Sequence, residues 1–187
     1  MIAIESFRRF RLIDLIVIIL FAIFWLVTNL VTSNRVSPQT QYIVSLFFIT
    51  FFMSCTVYVI RKAGAVTLFY LLCGLFTFSL NNLGTTGLTK LLTLVISGVL
   101  FELTFIILKL ELKSIPLDVI VGTAVSAASI PISTGLLLSP VMAQTLIISI
   151  LNLALLSFFI GIVSGLVAFL IWYYLRTTKL IVSFEYQ

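Results

Sequence analysis

The residues of this sequence that could hold a small molecule are carboxamides, hydroxyls and aromatic rings inside long apolar segments. Trp25, Asn29 and Thr32 recur at i, i+4 and i+7, so they lie on one face of a helix. Similar spacings recur in later segments, and most of these groups fall at a similar depth. Such side chains predict binding by hydrogen bonds and stacking, without chemistry on the solute. The candidate binding residues are Trp25, Asn29, Tyr42, Asn81, Asn82, Glu102, Ser129, Ser133 and Asn152.

The same polar groups also have a structural interpretation, which stays open at this point. Serine and threonine in apolar helices bond to carbonyls of their own helix, and asparagines tie helices together at about 1 kcal/mol per bond. A polar group inside a membrane must face another helix or a wet cavity. The sequence places four carboxamides at a similar depth, and they could form either a set of helix ties or the lining of a pocket open to the outside. They are Asn29, Asn81, Asn82 and Asn152.

Glu102 is the one acidic residue well inside an apolar segment, and it lies about 10 Å from the inner end of segment 86–108. An unpaired carboxylate there would be costly, so it must be protonated, paired or hydrated. One interpretation is a carboxylate at the pocket floor that attracts a cationic or donor-rich solute. The other is a helix tie to a hydroxyl such as Ser97 or Thr123. Lys90 is near enough to the outer interface for its ammonium to snorkel.

Several classes of site are missing from the composition. The chain has no histidine, which is the commonest general base and transition-metal ligand, and only six acidic residues. Cys55 and Cys73 lie inside apolar segments, where a free thiol behaves as a small hydrophobe. The sequence has no phosphate-binding loop. We therefore predict no enzyme, no cofactor and no metal site, and ATP hydrolysis would require a partner.

The elements that position these residues are membrane-spanning helices. The chain is 61% hydrophobic and 9% charged, and its mean hydropathy is +1.29, far outside the range of soluble domains. Several apolar runs approach the roughly 20 residues that cross a bilayer. We predict an all-α, polytopic integral membrane protein with a single domain, 1–187, and six transmembrane helices. The predicted spans are 12–32, 42–60, 65–80, 86–108, 116–138 and 142–175, the last as one long helix.

The cations predict the orientation. With six spans, nine of the eleven Lys and Arg residues fall on one side of the membrane. By the positive-inside rule both termini are then cytoplasmic, in a multi-pass protein of the cell membrane. These juxtamembrane clusters suit anionic membrane lipid, and we predict no nucleic-acid binding. The nine residues are Arg8, Arg9, Arg11, Arg61, Lys62, Lys109, Lys113, Arg176 and Lys179.

Two features of the helices concern packing. Gly161 and Gly165 form a small-xxx-small face that permits close helix approach, either inside the bundle or against a partner. Pro131 interrupts the fifth span between Ser129 and Ser133 and removes one backbone hydrogen bond. Interrupted helices in transporters often present free carbonyls to substrate, although prolines are also common in ordinary membrane helices.

The combination of size, span number, inside termini and outward pocket resembles a known family, the substrate-binding S-components of energy-coupling factor (ECF) transporters. The resemblance is strongest to the YkoE-like branch, for thiamine or its hydroxymethylpyrimidine precursor. It covers residues 12–175 loosely and 56–118 best. The matching stretches are 58–65 (Tyr-Val-Ile-Arg-Lys-Ala-Gly-Ala), the Asn-Asn-Leu-Gly turn at 81–84, 98–107 with Glu102, 114–116 (Ser-Ile-Pro) and 155–165.

The resemblance implies a membrane-embedded subunit that captures a small water-soluble vitamin or precursor from outside, with thiamine or hydroxymethylpyrimidine as first choice. Its implied partners are a transmembrane coupling subunit and two ABC ATPases, with docking through Ala22, Gly161 and Gly165. The chain departs from the family pattern where Ala22 is followed four residues later by Leu26, and where Gln41 and Tyr42 stand in place of an acid and a tryptophan. The alternatives are an S-component for another vitamin, a structural or assembly membrane protein without a ligand, and a lipid-modifying membrane enzyme.

Overall fold

The computed structural model describes residues 10–33, 35–108, 111–112, 115–138 and 144–175. These residues form six helices and one two-residue antiparallel ladder, in which Glu111 faces Pro116. The predicted basic residues Arg8, Arg9, Lys109, Lys113, Arg176 and Lys179 lie outside the described residues. The elements are α1 (Leu12–Ser33), α2 (Pro38–Ile60), α3 (Ala65–Phe76), α4 (Gly87–Leu108), β1 (Glu111–Leu112), β2 (Ile115–Pro116), α5 (Leu117–Leu138) and α6 (Gln144–Leu175).

Local sequence explains where α2 begins and ends. Ser37 is its N-cap and accepts a hydrogen bond from the Thr40 amide, and Pro38 takes the first turn, where its missing N–H costs nothing. α2 therefore begins before the predicted residue 42. At the other end Arg61 adopts a left-handed conformation and its amide returns to Val57 O. Gly64, also left-handed, then starts α3.

The six most extensive helix contacts close a ring in the order α1, α2, α6, α5, α4, α3 and back to α1. α2 also contacts α3 and α5 across the ring. This explains why α2 and α5 bury more than half of their spanning windows, whereas α1 and α6 turn most of theirs outward. On α1 the inward face is a single stripe of Ile18, Ala22, Trp25 and Asn29.

Of the six helices in the described residues, five are long and apolar enough to cross a membrane, and α3 is not. α3 has 12 residues, or about 18 Å of helix, against a hydrocarbon core of roughly 30 Å. It ends at Phe76 rather than at the predicted residue 80, because the backbone of its C-cap, Thr77, leaves the helical conformation and a turn follows. α6 is one continuous helix of 32 residues, as predicted. The protein is thus an all-helical, multi-pass membrane protein.

One end of the bundle gathers cations and aromatic rings. Lys62 forms an ion pair with Asp14 at the start of α1, and the Arg61 guanidinium lies 5.5 Å from the centre of the Trp172 ring. Tyr58 also stacks on the Trp172 ring, with an angle of 9° between the two ring planes. The start of α1 and the end of α6 therefore share a side. We call it the basic end, and its cytoplasmic location stays a prediction.

Candidate functional site

A buried polar cluster lies where α1, α2 and the turn before α4 meet, away from the basic end. Asn29 Oδ1 accepts hydrogen bonds from Ser45 Oγ and Asn82 Nδ2, both at 2.7 Å. Asn29 Nδ2 donates to Trp25 O, and Trp25 Nε1 donates to Ser45 O. All these side chains are buried. We call Trp25, Asn29, Ser45, Asn82 and Lys90 the asparagine cluster.

Lys90 completes this cluster and does not snorkel, because its side chain is fully buried. Its ammonium donates to Thr77 O at 2.7 Å, to Leu80 O at 3.0 Å and to the Asn82 side-chain oxygen. These three bonds use all three ammonium hydrogens. The Trp25 ring adds a cation–π contact, with its centre 5.8 Å from Nζ. A solute that entered here would have to displace a satisfied cation.

Hydroxyl pairs connect neighbouring helices elsewhere in the bundle. Each pair joins side chains on two different helices, with oxygen–oxygen distances from 2.7 to 3.5 Å. Ser129 is bonded in this way to Ser97, whereas Ser133 bonds back to Ser129 O in its own helix. Twelve hydroxyls of the described helices therefore tie one helix to another. The pairs are Thr50–Ser164, Ser54–Thr123, Tyr70–Ser126, Ser97–Ser129, Tyr42–Ser157 and Thr93–Thr134.

Glu102 contacts the start of α3. Its Oε1 accepts a hydrogen bond from the Thr67 amide at 3.1 Å. Gly64, the N-cap of α3, has no side chain that could accept a hydrogen bond from the first amides of this helix. A carboxylate also suits the positive end of a helix dipole. Glu102 is therefore a helix tie, made to a backbone amide rather than to the predicted hydroxyls. It lies about 18 Å along α4 from Lys90, so the two groups are not in one pocket.

α4 thus holds both ends of the short helix α3. Glu102 binds an amide in the first turn of α3, and Lys90 binds the carbonyl of Thr77 just past its last turn. The carboxylate meets the positive end of the α3 dipole and the ammonium meets the negative end. This arrangement accounts for the presence of Lys90 and Glu102 inside the bundle.

An open pocket of about 360 Å³ lies at the end of the bundle opposite the basic end. Tyr42 lines it from the first turns of α2, and Thr134 from the last turns of α5. The turn before α4 contributes Leu83 and Gly84, so Asn82 anchors one wall of the pocket to the asparagine cluster. The remaining lining residues are Pro131, Gly135, Leu138, Leu146, Ile150 and Leu153.

The structure divides the predicted binding residues into separate groups. Trp25, Asn29 and Asn82 meet in the asparagine cluster, and Tyr42 alone lines the pocket. Asn81 and Asn152 are exposed at the protein surface. The predicted single lining of four carboxamides is therefore not formed. The signal that marked the pocket was the Asn-Asn-Leu-Gly turn, although its Leu83 and Gly84, rather than its asparagines, are the lining residues.

The three predicted docking residues lie inside the bundle. Ala22 is fully buried on the inward face of α1. A methyl group on Gly161 would lie 2.7 Å from Ala124 Cα of α5, and one on Gly165 would lie 3.4 Å from Ile120 Cα. The small residues of α6 serve its close approach to α5. They present no surface to a partner in this structure, which corrects that prediction.

No protein-family model, curated protein or solved structure matches the chain.

Proposed function

We propose that this chain is the substrate-binding subunit of a vitamin transporter of the ECF type, located in the cell membrane with both termini in the cytoplasm. The observation that carries the proposal is the open pocket at the end away from the basic end. If the basic end is cytoplasmic, as the positive-inside rule predicts, this pocket faces the outside. Membrane proteins commonly place ligand pockets between helices, as here between α2, α5 and α6.

The substrate and partners follow from the resemblance. The solute would be thiamine or its hydroxymethylpyrimidine precursor, or another small vitamin. The chain would perform no chemistry on it. Energy for uptake would come from two ABC ATPases acting through a transmembrane coupling subunit. Docking of that subunit would have to use an outward face, because Ala22 and Gly161 are buried.

The test is binding of thiamine and hydroxymethylpyrimidine to the protein in nanodiscs, by isothermal titration calorimetry. Leu153→Trp enlarges a side chain that lines the pocket and should lower affinity at least about tenfold, or about 1.4 kcal/mol. Leu155→Trp is the matched control, since Leu155 lies on the same helix, does not line the pocket and is 62% exposed. Equal affinities of the two variants for a vitamin would show that it binds elsewhere.

A second candidate is a structural or assembly protein of the membrane, without a ligand. The observation that favours it is the pairing of buried polar groups with one another, in the asparagine cluster and the hydroxyl pairs. This candidate predicts that no small solute co-purifies with the protein in native mass spectrometry and that neither vitamin binds. A co-purifying solute that is lost in Leu153→Trp and kept in Leu155→Trp would reject it.

A further inference from the structure

A groove between α2 and α6 faces the membrane rather than the end of the bundle. It encloses about 340 Å³, and several of its walls are exposed: Ile43 by 41%, Phe159 by 57% and Val163 by 52%. Every lining side chain is aliphatic or aromatic, so the groove offers water no polar side chain to bond to. We call it the α2–α6 groove, and its residues are Ile43, Val44, Phe47, Phe48, Leu156, Phe159, Ile160 and Val163.

Two hydrogen bonds show at what depth this groove lies. Tyr42 bonds to Ser157 beside one end of the groove, and Thr50 bonds to Ser164 beside the other end. α2 and α6 therefore run in the same direction, both toward the basic end. The groove begins at Ile43, about 8 Å of helix from the start of α2. It lies in the hydrocarbon of the leaflet away from the basic end, since each leaflet contributes roughly 15 Å of hydrocarbon.

The aromatic wall of the α2–α6 groove is held in place by neighbouring rings. Phe47 and Phe48 meet edge to face, with their ring centres 5.6 Å apart. Phe47 also stacks on Phe51 at 6.3 Å, and Phe48 stacks on Phe52 at 6.0 Å. Each wall ring thus rests on a ring one turn further along α2. The groove is a fixed part of the fold, and the molecules available to fill it at this depth are membrane lipids.

The face of α6 that lines the groove becomes polar toward the start of the helix. Asn152 precedes Leu156, Phe159 and Val163 by four, seven and eleven residues, so all four lie on one stripe of α6. Asn152 is exposed. Tyr42 is level with Ser157, so Asn152, five residues earlier on α6, is level with the start of α2 at the membrane interface. A polar group at the interface above an apolar groove is the order in which a lipid presents its headgroup and its chain.

We infer that the α2–α6 groove binds one acyl chain of a membrane glycerophospholipid, and that the Asn152 carboxamide donates a hydrogen bond to an oxygen of its headgroup or ester region. The inference goes beyond the proposed function and does not depend on it. A partner helix suits the groove less well, because a helix is about 10 Å wide with its side chains. Close helix contacts also use small residues, whereas these walls are Phe, Leu, Ile and Val.

The test is native mass spectrometry of the delipidated protein in detergent, titrated with 1-palmitoyl-2-oleoylphosphatidylcholine. The quantity measured is the dissociation constant of the first bound lipid. Val163→Trp fills the groove from α6 and should weaken this binding at least about fivefold, through lost packing of the chain. Val99→Trp is the matched control, since Val99 on α4 is 43% exposed and does not line the groove. It should bind the first lipid as the unaltered protein does.

The headgroup contact and the chain contact are tested separately. Asn152→Leu should weaken binding of the first lipid about fivefold, the effect of one neutral hydrogen bond. Asn81→Leu makes the same change at another exposed carboxamide, away from the groove, and should have no effect. Lysophosphatidylcholine, which keeps one chain and the headgroup, should displace the first lipid. Glycerophosphocholine, which has no chain, should not displace it.

Leu156→Trp fills the groove from its other end and should also weaken binding of the first lipid, and thermal unfolding confirms that each variant is folded. Unchanged lipid affinity in both filling variants would overturn the groove as the site. Equal weakening in Val163→Trp and Val99→Trp would show general contact with surrounding lipid and would also overturn it. Loss of a second protein chain from Val163→Trp, with lipid binding unchanged, would make the groove a protein interface instead.

Two outcomes concern single parts of the inference. Unchanged lipid affinity in Asn152→Leu would overturn the headgroup contact, and displacement by glycerophosphocholine would overturn the chain contact. The inference and the proposed function can fail independently. Leu153→Trp alters the open pocket and should leave the first lipid in place, whereas Val163→Trp should leave vitamin binding unchanged.

Discussion

Replacing Gly161 by alanine distinguishes internal packing from partner docking. The added Cβ would lie 2.7 Å from Ala124 Cα, 2.8 Å from Thr123 O and 2.9 Å from Ala127 Cβ, all on α5. Two of these three atoms are backbone and cannot rotate away. Ordinary contact begins at 3.4 Å, so α6 would have to move about 0.7 Å (3.4 − 2.7) from α5. Overpacking of this kind costs about 1–3 kcal/mol.

Gly165→Ala is the matched control. It makes the same change one turn further along α6, where the nearest atom would lie 3.4 Å from the new Cβ. Any gain in helix propensity is shared by both variants and cancels in their difference. We therefore expect Gly161→Ala to be less stable than Gly165→Ala by about 1–3 kcal/mol.

The assay is unfolding of the purified protein in mixed micelles by titration with sodium dodecyl sulfate, followed by circular dichroism. Both variants should fold, and only Gly161→Ala should unfold at a lower detergent fraction. A docking role for Gly161 predicts the reverse, with unchanged unfolding of the isolated chain and loss of a partner complex. Equal unfolding of the two variants would refute the close approach of α6 to α5 described above.

Three further predictions concern the polar residues, each measured by the same unfolding titration. Lys90→Met should destabilise the protein by about 2–4 kcal/mol, because three oxygens, two of them in buried contacts, lose their donor while the desolvation cost of the ammonium is relieved. Unchanged stability would contradict the contacts of Lys90. Glu102→Gln keeps an acceptor for the Thr67 amide and should cost only about 0.3–1 kcal/mol, the value of a charge at a helix end, whereas Glu102→Leu should cost about 1–3 kcal/mol. Asn82→Leu should cost at least about 2 kcal/mol, since it unpairs Lys90 and strands buried partners, while Asn81→Leu at the surface should be nearly neutral; similar effects of the two would count against the asparagine cluster.

Much of the helical architecture was predictable because hydropathy and helix-end signals act locally. The connection from Arg61 to Gly64 carries two left-handed residues and separates two apolar runs, and it lies where the sequence predicted it. The early start of α2 was also encoded, in Ser37 and Pro38, but apolar periodicity alone placed the boundary later. The end of α3 was less predictable, since Phe78 and Leu80 are apolar and no Pro or Gly marks the point where the backbone has already turned.

The site was predictable only in part, because spacing along a helix does not show which partner a polar group meets. Asn29 and Asn82 were correctly predicted to lie at a similar depth, and they bond directly to each other. Lys90 was expected at the interface, because nothing local in the sequence shows that the carbonyls of Thr77 and Leu80 are turned toward it. The apolar walls of the pocket could not be distinguished in sequence from residues that face lipid.

The short helix α3 also has a consequence for the surrounding bilayer. Leu71, Leu75 and Phe76 expose its outward side to lipid, but the helix covers about 18 Å and the irregular stretch 77–86 follows at a depth that the neighbouring helices still span. Lipid beside this face meets a shorter apolar surface than lipid beside α1 or α6, so the bilayer has to thin locally, at a fraction of a kcal/mol per Å of mismatch. The protein should therefore favour thinner membranes. Two copies would reduce the strained lipid area by placing their α3 faces side by side.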